Sequence, residues 1–225
     1  MPKDQLQEML DSAVHFGQKT TKWNPKMKKY IYGVKNGIHI IDVQKTAECI
    51  KAVQEYLKKE TSTGKRVLLV CTKPQAANLI VDMAKETGMP YVIHKWVGGL
   101  LTNFSTIKRR IKYFKKLRDE EKSGEFSKYT KKEASNLKKT MVKLESALGG
   151  VKDMEKLPDI VFVADVVRDR IAVQEATKLN IPVIGIVDSN SDPENIKYPI
   201  PGNDDAIKSL TYLINAVKGG IVAKK

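Results

Sequence analysis

The chain has 225 residues, 41% of them hydrophobic, which suits one large domain or one domain carrying an insertion. The opening MPKDQLQEMLDSAVHFG has acids inside its apolar pattern, and no apolar run approaches the ~20 residues of a membrane helix, so neither a signal peptide nor a membrane span is expected. Cys49 and Cys71 lack CxxC spacing and fit a reduced, cytosolic chain, while the net charge of +14 suggests a polyanion partner, most often a nucleic acid.

The charge is uneven. Residues 1–35 hold seven Lys/Arg against three acids and 36–104 hold nine against six. Residues 105–152 hold fifteen against six, and 153–225 hold nine against eleven. One middle segment therefore carries an excess of +9, and the last third is slightly acidic. Localised surplus of this size favours a nucleic-acid surface over a merely solvated lysine face.

In chain order, KTTKWNPKMKKYIYG (19–33) comes first, with Lys19, Lys22, Lys26, Lys28 and Lys29 and no acid. Trp23, Tyr30 and Tyr32 are interleaved, so lysines can meet phosphates while aromatic faces stack on bases. Asn24-Pro25 predicts an irregular, extended path. YIYGVKNGIHIID (30–42) predicts a β-hairpin, because Asn36-Gly37 tolerates the positive φ of a two-residue turn. Asp42 caps a predicted helix over 44–60.

RVLLVCT (66–72) reads as a buried strand, followed by a helix at about 75–87 that Gly88 and Pro90 stop before YVIH (91–94). DIVFVAD (159–165) and PVIGIV (182–187) are two more strands flanking a helix at about 169–179. KYPI (197–200) is a short edge strand, and 204–217 a closing helix. Continuous β-branched strands between helices imply an α/β fold, a doubly wound parallel sheet covered on both faces.

Residues 102–150 break this rhythm. Phe104, Ile107, Ile111, Phe114 and Leu117 are three or four apart, as are Leu137, Met141, Leu144 and Leu148. Each set makes one narrow apolar stripe amid basic residues. Thr130 and Glu133 form a capping box for the second helix, and Gly149-Gly150 ends it. The segment reads as an inserted antiparallel two-helix coiled coil, projecting roughly 27 Å for a ~18-residue helix. The alternative, stripes packed on the sheet, would normally need a wider apolar face. The globular domain is thus 1–101 with 151–225, its basic arm and hairpin lie within 1–42, and the insertion is 102–150.

The chemistry-bearing residues admit several readings. HKWVGGLLTNFSTIKRRIKYFKK (94–116) repeats the basic-aromatic character of the arm, with Lys95, Trp96 and Asn103 leading into Lys108, Arg109, Arg110, Lys112, Lys115 and Lys116. Lys131 and Lys132 open the second helix. Trp23 and Trp96 are equally open to packing beneath loops. DIVFVAD (159–165), VDSNSDP (187–193) and PGNDDA (201–206) put Asp165, Asp188, Asp204 and Asp205 where open α/β sheets bind ligands, at strand carboxyl ends. They suit a nucleotide- or metal-dependent enzyme, or, more simply, Asx turns and helix caps. VCTKPQA (70–76) can offer Lys73 to a phosphate, yet no GxxxxGK[ST] or GxGxxG is present. His15, His39 and His94 match no ligand spacing, and no nucleophile–base pair is evident.

AVHFGQKTTKWNPKMKKYIYG, NGIHIID, WVGGLLTNFSTI, PDIVFVAD with IAVQEATKLNIPV, and DSNSDP with IPGNDDAIKS occur in order from about residue 6 to 217. Together they resemble one family, the bacterial form of small-subunit ribosomal protein two. The resemblance implies a Rossmann-like or flavodoxin-like sheet with the helical insertion, and no enzymatic activity, small-molecule substrate or membrane. It implies a structural protein of the cytoplasmic ribosome, on the solvent side between head and body of the small subunit. Partners would be small-subunit rRNA and neighbouring ribosomal proteins, including the large mRNA-binding one. The open alternative is an RNA binder outside the ribosome. The family usually reads HFGH where this chain has HFGQ, which puts Gln18 at the second histidine. No cofactor is expected; a structural metal would rest on His15 with Asp188 and Asp204 or Asp205. The chain ends GGIVAKK, without the acidic tail many members carry.

Overall fold

A computed structural model describes residues 3–222. The ending at 223–225, where no acidic tail is expected, lies outside them. Helix α1 (Lys3–Asp11) leads into strand β1 (Phe16–Lys19). The stretch Pro25–Tyr30 is a 3-10 helix rather than the expected extended path, because the Asn24 side chain accepts from the Lys26 N–H and Pro25 supplies the helical φ. Strands β2 (Ile31–Lys35) and β3 (Ile38–Ile41) form the expected hairpin, with Asn36 and Gly37 at φ 51° and 74°. An unforeseen partner joins them: β1 pairs antiparallel with β3, making a three-stranded sheet in the order β1-β3-β2.

Helix α2 (Val43–Ser62) starts where Asp42 Oδ1 accepts from the Gln44 N–H at 3.0 Å. Strand β4 (Val67–Val70), helix α3 (Pro74–Thr87) and the two-residue strand β5 (Tyr91–Val92) follow, with Gly88 as the left-handed cap of α3. After α4 (Phe104–Lys122) and α5 (Lys131–Leu148) come β6 (Ile160–Val163), α6 (Arg170–Lys178), β7 (Val183–Val187), β8 (Tyr198–Pro201) and α7 (Ile207–Lys218). The second sheet is wholly parallel, in the order β5-β4-β6-β7-β8. Register places Leu69 beside Phe162, Phe162 beside Ile184 and Ile184 beside Tyr198. No helix among the described residues is long and apolar enough to cross a membrane.

Alternate strand residues feed two cores. Val67, Leu69, Phe162 and Ile184 face α1, α2, α3 and α7 through Met9, Ile50, Ile80 and Leu213. Leu68, Val70, Val161 and Val163 face the other way. There α6 has only nine residues, too short to cover the sheet alone. The remaining cover comes from Trp96, Leu100 and Leu101, and from Ile107, Ile111 and Leu148 at the base of α4 and α5.

The apolar stripes of α4 and α5 are therefore divided. Their basal turns pack on the sheet, which the narrow stripe argued against. Their distal turns make a separate cluster of Phe114, Leu117, Phe126 and Met141 between the two helices. Gly150 shows how close the base sits. A Cβ there would lie 2.2 Å from the carbonyl oxygen of Tyr91, so only glycine lets the chain leave α5 against the edge strand.

Candidate nucleic-acid interface and acidic rim

On α4 the buried positions are Ile107, Ile111, Phe114 and Leu117, and cations crowd the outward positions of its first three turns. Lys108, Arg109, Arg110 and Lys112 are exposed and, among the described residues, have no carboxylate within ion-pair distance. The Lys108 ammonium lies 5.8 Å from the Phe104 ring centre. Lys115 reaches Asp153 at 3.2 Å in an exposed pair, and Lys116, itself in water, reaches half-buried Glu120 at 3.5 Å; surface pairs of this kind are worth little. Asn103 is exposed at the helix start, and Lys131 and Lys132 are exposed on the first turn of α5, where the Thr130–Glu133 capping box is fully formed. Lys95 is also exposed.

The arm presents Lys19, Lys22, Lys28 and Lys29 to solvent. Trp23 is half-open, its ring 5.0 Å from that of buried His39. Lys26 is different: its ammonium is 2.9 Å from Asp192 and also pairs with Glu194, and these hydrogen bonds raise its pKa. The Asn24 N–H donates to the Ser189 carbonyl at 2.8 Å. The acidic 187–194 loop is thus seated against the basic arm, because Asp192 and Glu194 neutralise Lys26.

Trp96 is not free to stack. It is 7% exposed, and its indole N–H donates to Glu175 at 3.0 Å. The same carboxylate accepts from the backbone N–H groups of Gly99, Leu101 and Thr102 and from the Thr102 hydroxyl. Burial pushes the Glu175 pKa up, but the donors from Trp96, Thr102, Gly99 and Leu101 outweigh it and hold the carboxyl below its usual range. One anion therefore shapes the loop that delivers α4. Glu175 escapes a reading by motif. Its one signal is a charge on the inward stripe of α6, beside buried Ala172, Val173 and Ala176.

The Asp-rich loops are built from turns. The Ser191 N–H donates to the Asp188 carbonyl at 3.0 Å, the Glu194 N–H to Asp192 Oδ1 at 3.0 Å, and the Asp205 N–H to Asn203 Oδ1 at 2.8 Å. Lys73 is no phosphate ligand. It is buried, with its Nζ 3.1 Å from Asp165, 3.1 Å from Asp204 and 2.8 Å from Asp205. Burial lowers its pKa, and the Asp205 hydrogen bond with the Asp204 and Asp165 charges reverses that, for a net rise. His15 does not join this cluster. Its Nδ1 is buried without a partner, and it lines a separate cavity of about 280 Å³ with Leu10, Tyr32 and Val43. Gln18 takes the place beside the carboxylates, donating to Asp188 at 3.0 Å and Asp205 at 2.7 Å.

Asp204 is pushed up to about 7, first by burial, then by the charges of Asp165 and Asp188, with Lys73 opposing. Folding thus takes up a proton that the unfolded chain releases near an ordinary carboxylate value. The stabilisation from this group is complete below a pH of about 4 and is lost as pH rises through about 7. Asp204→Asn is expected to flatten urea stability across that window. A slope equal to wild type would show that Asp204 is ionised throughout.

The family model described as "Ribosomal protein S2" matches residues 9–223. A protein from Nitratiruptor sp. named "Small ribosomal subunit protein uS2" is 46% identical over 220 residues, covering 98% of this chain and 82% of the relative. Proteins of the same name from Picosynechococcus sp. and Dictyoglomus thermophilum are 45% and 46% identical. They cover 99% and 98% of this chain and 87% and 89% of their own lengths. These matches span both sheets, α4, α5 and the acidic rim, and the chain belongs to the ribosomal protein S2 family.

Proposed function

We propose that this chain binds small-subunit rRNA through the outer faces of α4 and the arm. It would sit on the solvent side of the subunit between head and body and help dock the large mRNA-binding ribosomal protein. Family membership makes it a structural constituent of the small ribosomal subunit, acting in translation on the cytoplasmic ribosome and not as an enzyme. The observation that carries the rRNA reading is the unneutralised row Lys108, Arg109, Arg110 and Lys112, held on a helix whose base is fixed to the sheet. Lys19, Lys22, Lys28, Lys29 and half-open Trp23 extend the reading to the arm, and Lys95, Asn103, Lys131 and Lys132 flank it. Lys26, Lys115 and Lys116 would first have to leave their carboxylates.

Two measurements test this. The protein is expected to cosediment with small subunits in sucrose gradients at moderate salt; recovery only in the soluble fraction would defeat the proposal. Replacing Lys108, Arg109 and Arg110 together by alanine is expected to flatten the plot of log K against log salt by roughly two units, since each lost phosphate contact removes about 0.7–0.9. An unchanged slope would mean that these side chains only face solvent.

A further inference from the structure

Asp188, Asp204 and Asp205 each offer an oxygen within 4.8 Å of the others, the spacing of a cation site. The residues around them do not fit one. Asp204 Oδ1 and Asp205 Oδ1 already accept from the Lys73 ammonium, at 3.1 and 2.8 Å. Asp188 Oδ1 accepts from the Ser189 N–H. The two oxygens left facing the arm, Asp188 Oδ2 and Asp205 Oδ2, both accept from Gln18 Nε2. Between two carboxylates an amide must present its NH₂ end, so its oxygen, the one side-chain atom of Gln18 able to ligate a metal, points elsewhere. A metal here would compete with an ammonium and an amide for oxygens already engaged.

The joint matters because it is where the arm meets the rim. The Gln18 backbone N–H donates to Ser189 Oγ at 2.7 Å, and Gly17 packs so closely that an added Cβ would lie 2.8 Å from that oxygen. Gln18 thus ties β1 to two loops more than 165 residues away, with partners at separations of 170 and 187. We infer that in this chain a side-chain amide, working with a buried ammonium, replaces a metal ion as the clasp between the basic arm and the acidic loops. The HFGQ departure from the family's usual HFGH is then a change of clasp chemistry. An imidazole at position 18 would bring a metal ligand to the place where the amide brings a donor.

Thermal melting of the full chain tests this in EDTA and in excess Zn²⁺, Mg²⁺ or Mn²⁺. Wild type is expected to melt at the same temperature in all four. Gln18→His is expected to gain a Zn²⁺-dependent rise of roughly 5–10 °C, the shift for a ligand well above its Kd in a chain of this size. Adding Asp205→Asn should cancel that gain. Hydrogen exchange at the Gln18 amide of wild type, insensitive to EDTA, gives a second reading that needs no variant. A wild-type melting point lowered by EDTA, exchange accelerated by it, or a Gln18→His protein indifferent to Zn²⁺ would each overturn the inference.

Discussion

Glu175→Ala is expected to lower folding free energy by about 4 kcal/mol or more, because it strands the Trp96 indole N–H and the N–H groups of Gly99, Leu101 and Thr102. Each buried donor left unpaired costs about 1–3 kcal/mol, with partial relief where water enters. Glu175→Gln retains the shape but turns one acceptor into a donor among donors, so it should fall between. Acid acts on the same contact. With its carboxyl held below the usual range, Glu175 contributes stability above the unfolded-state value, which is lost as pH falls through the lowered one. Urea unfolding monitored by Trp96 fluorescence reads both effects. The rRNA affinity should fall as well, since the 96–102 loop sets the start of α4. A loss under about 1 kcal/mol would show that the loop repacks without its anion.

Two excisions in the hairpin are expected to part company. Replacing 113–142 by a short Gly-rich turn removes the distal cluster and nine Lys/Arg against five acids, yet leaves Ile107, Ile111 and Leu148 on the sheet. That protein should fold, and its rRNA affinity at moderate salt should drop about tenfold or more. Excising 105–148 also removes the three basal side chains. At about 1.5–3 kcal/mol each, that approaches the whole stability of a typical domain. Circular dichroism of both proteins decides the matter. A stable 105–148 deletion would mean the sheet closes without the helices, and undiminished affinity in the shorter excision would confine RNA contact to the base and arm.

The hairpin turn at Asn36-Gly37, the capping box at Thr130 and the continuous strands at 67–70 and 183–187 were legible because each is decided within a few residues of chain. Strand β1 was not. FGQK has no period-two apolar alternation and becomes a strand through β3, which pairs Phe16 with Ile40. The apolar stripe of α4 was legible, but Ile107 and Phe114 look alike in sequence while one meets the sheet and the other a helix. The site divided similarly. Runs of lysine mark a basic surface, yet only long-range contacts decide that Lys26 is paired and Trp96 buried. Their partners stand 166 and 79 residues away.

The seat of Gly150 on Tyr91 bears on how copies of this chain coexist at high concentration. A border strand with unpaired backbone groups is a template for another molecule to add to the sheet. Strand β5 has two residues, and the turn Gly149–Val151 lies over its outer side. The hairpin that carries the cations outward also ends by plugging this border, so the protein's reach and the cover of this one sheet edge share a single glycine.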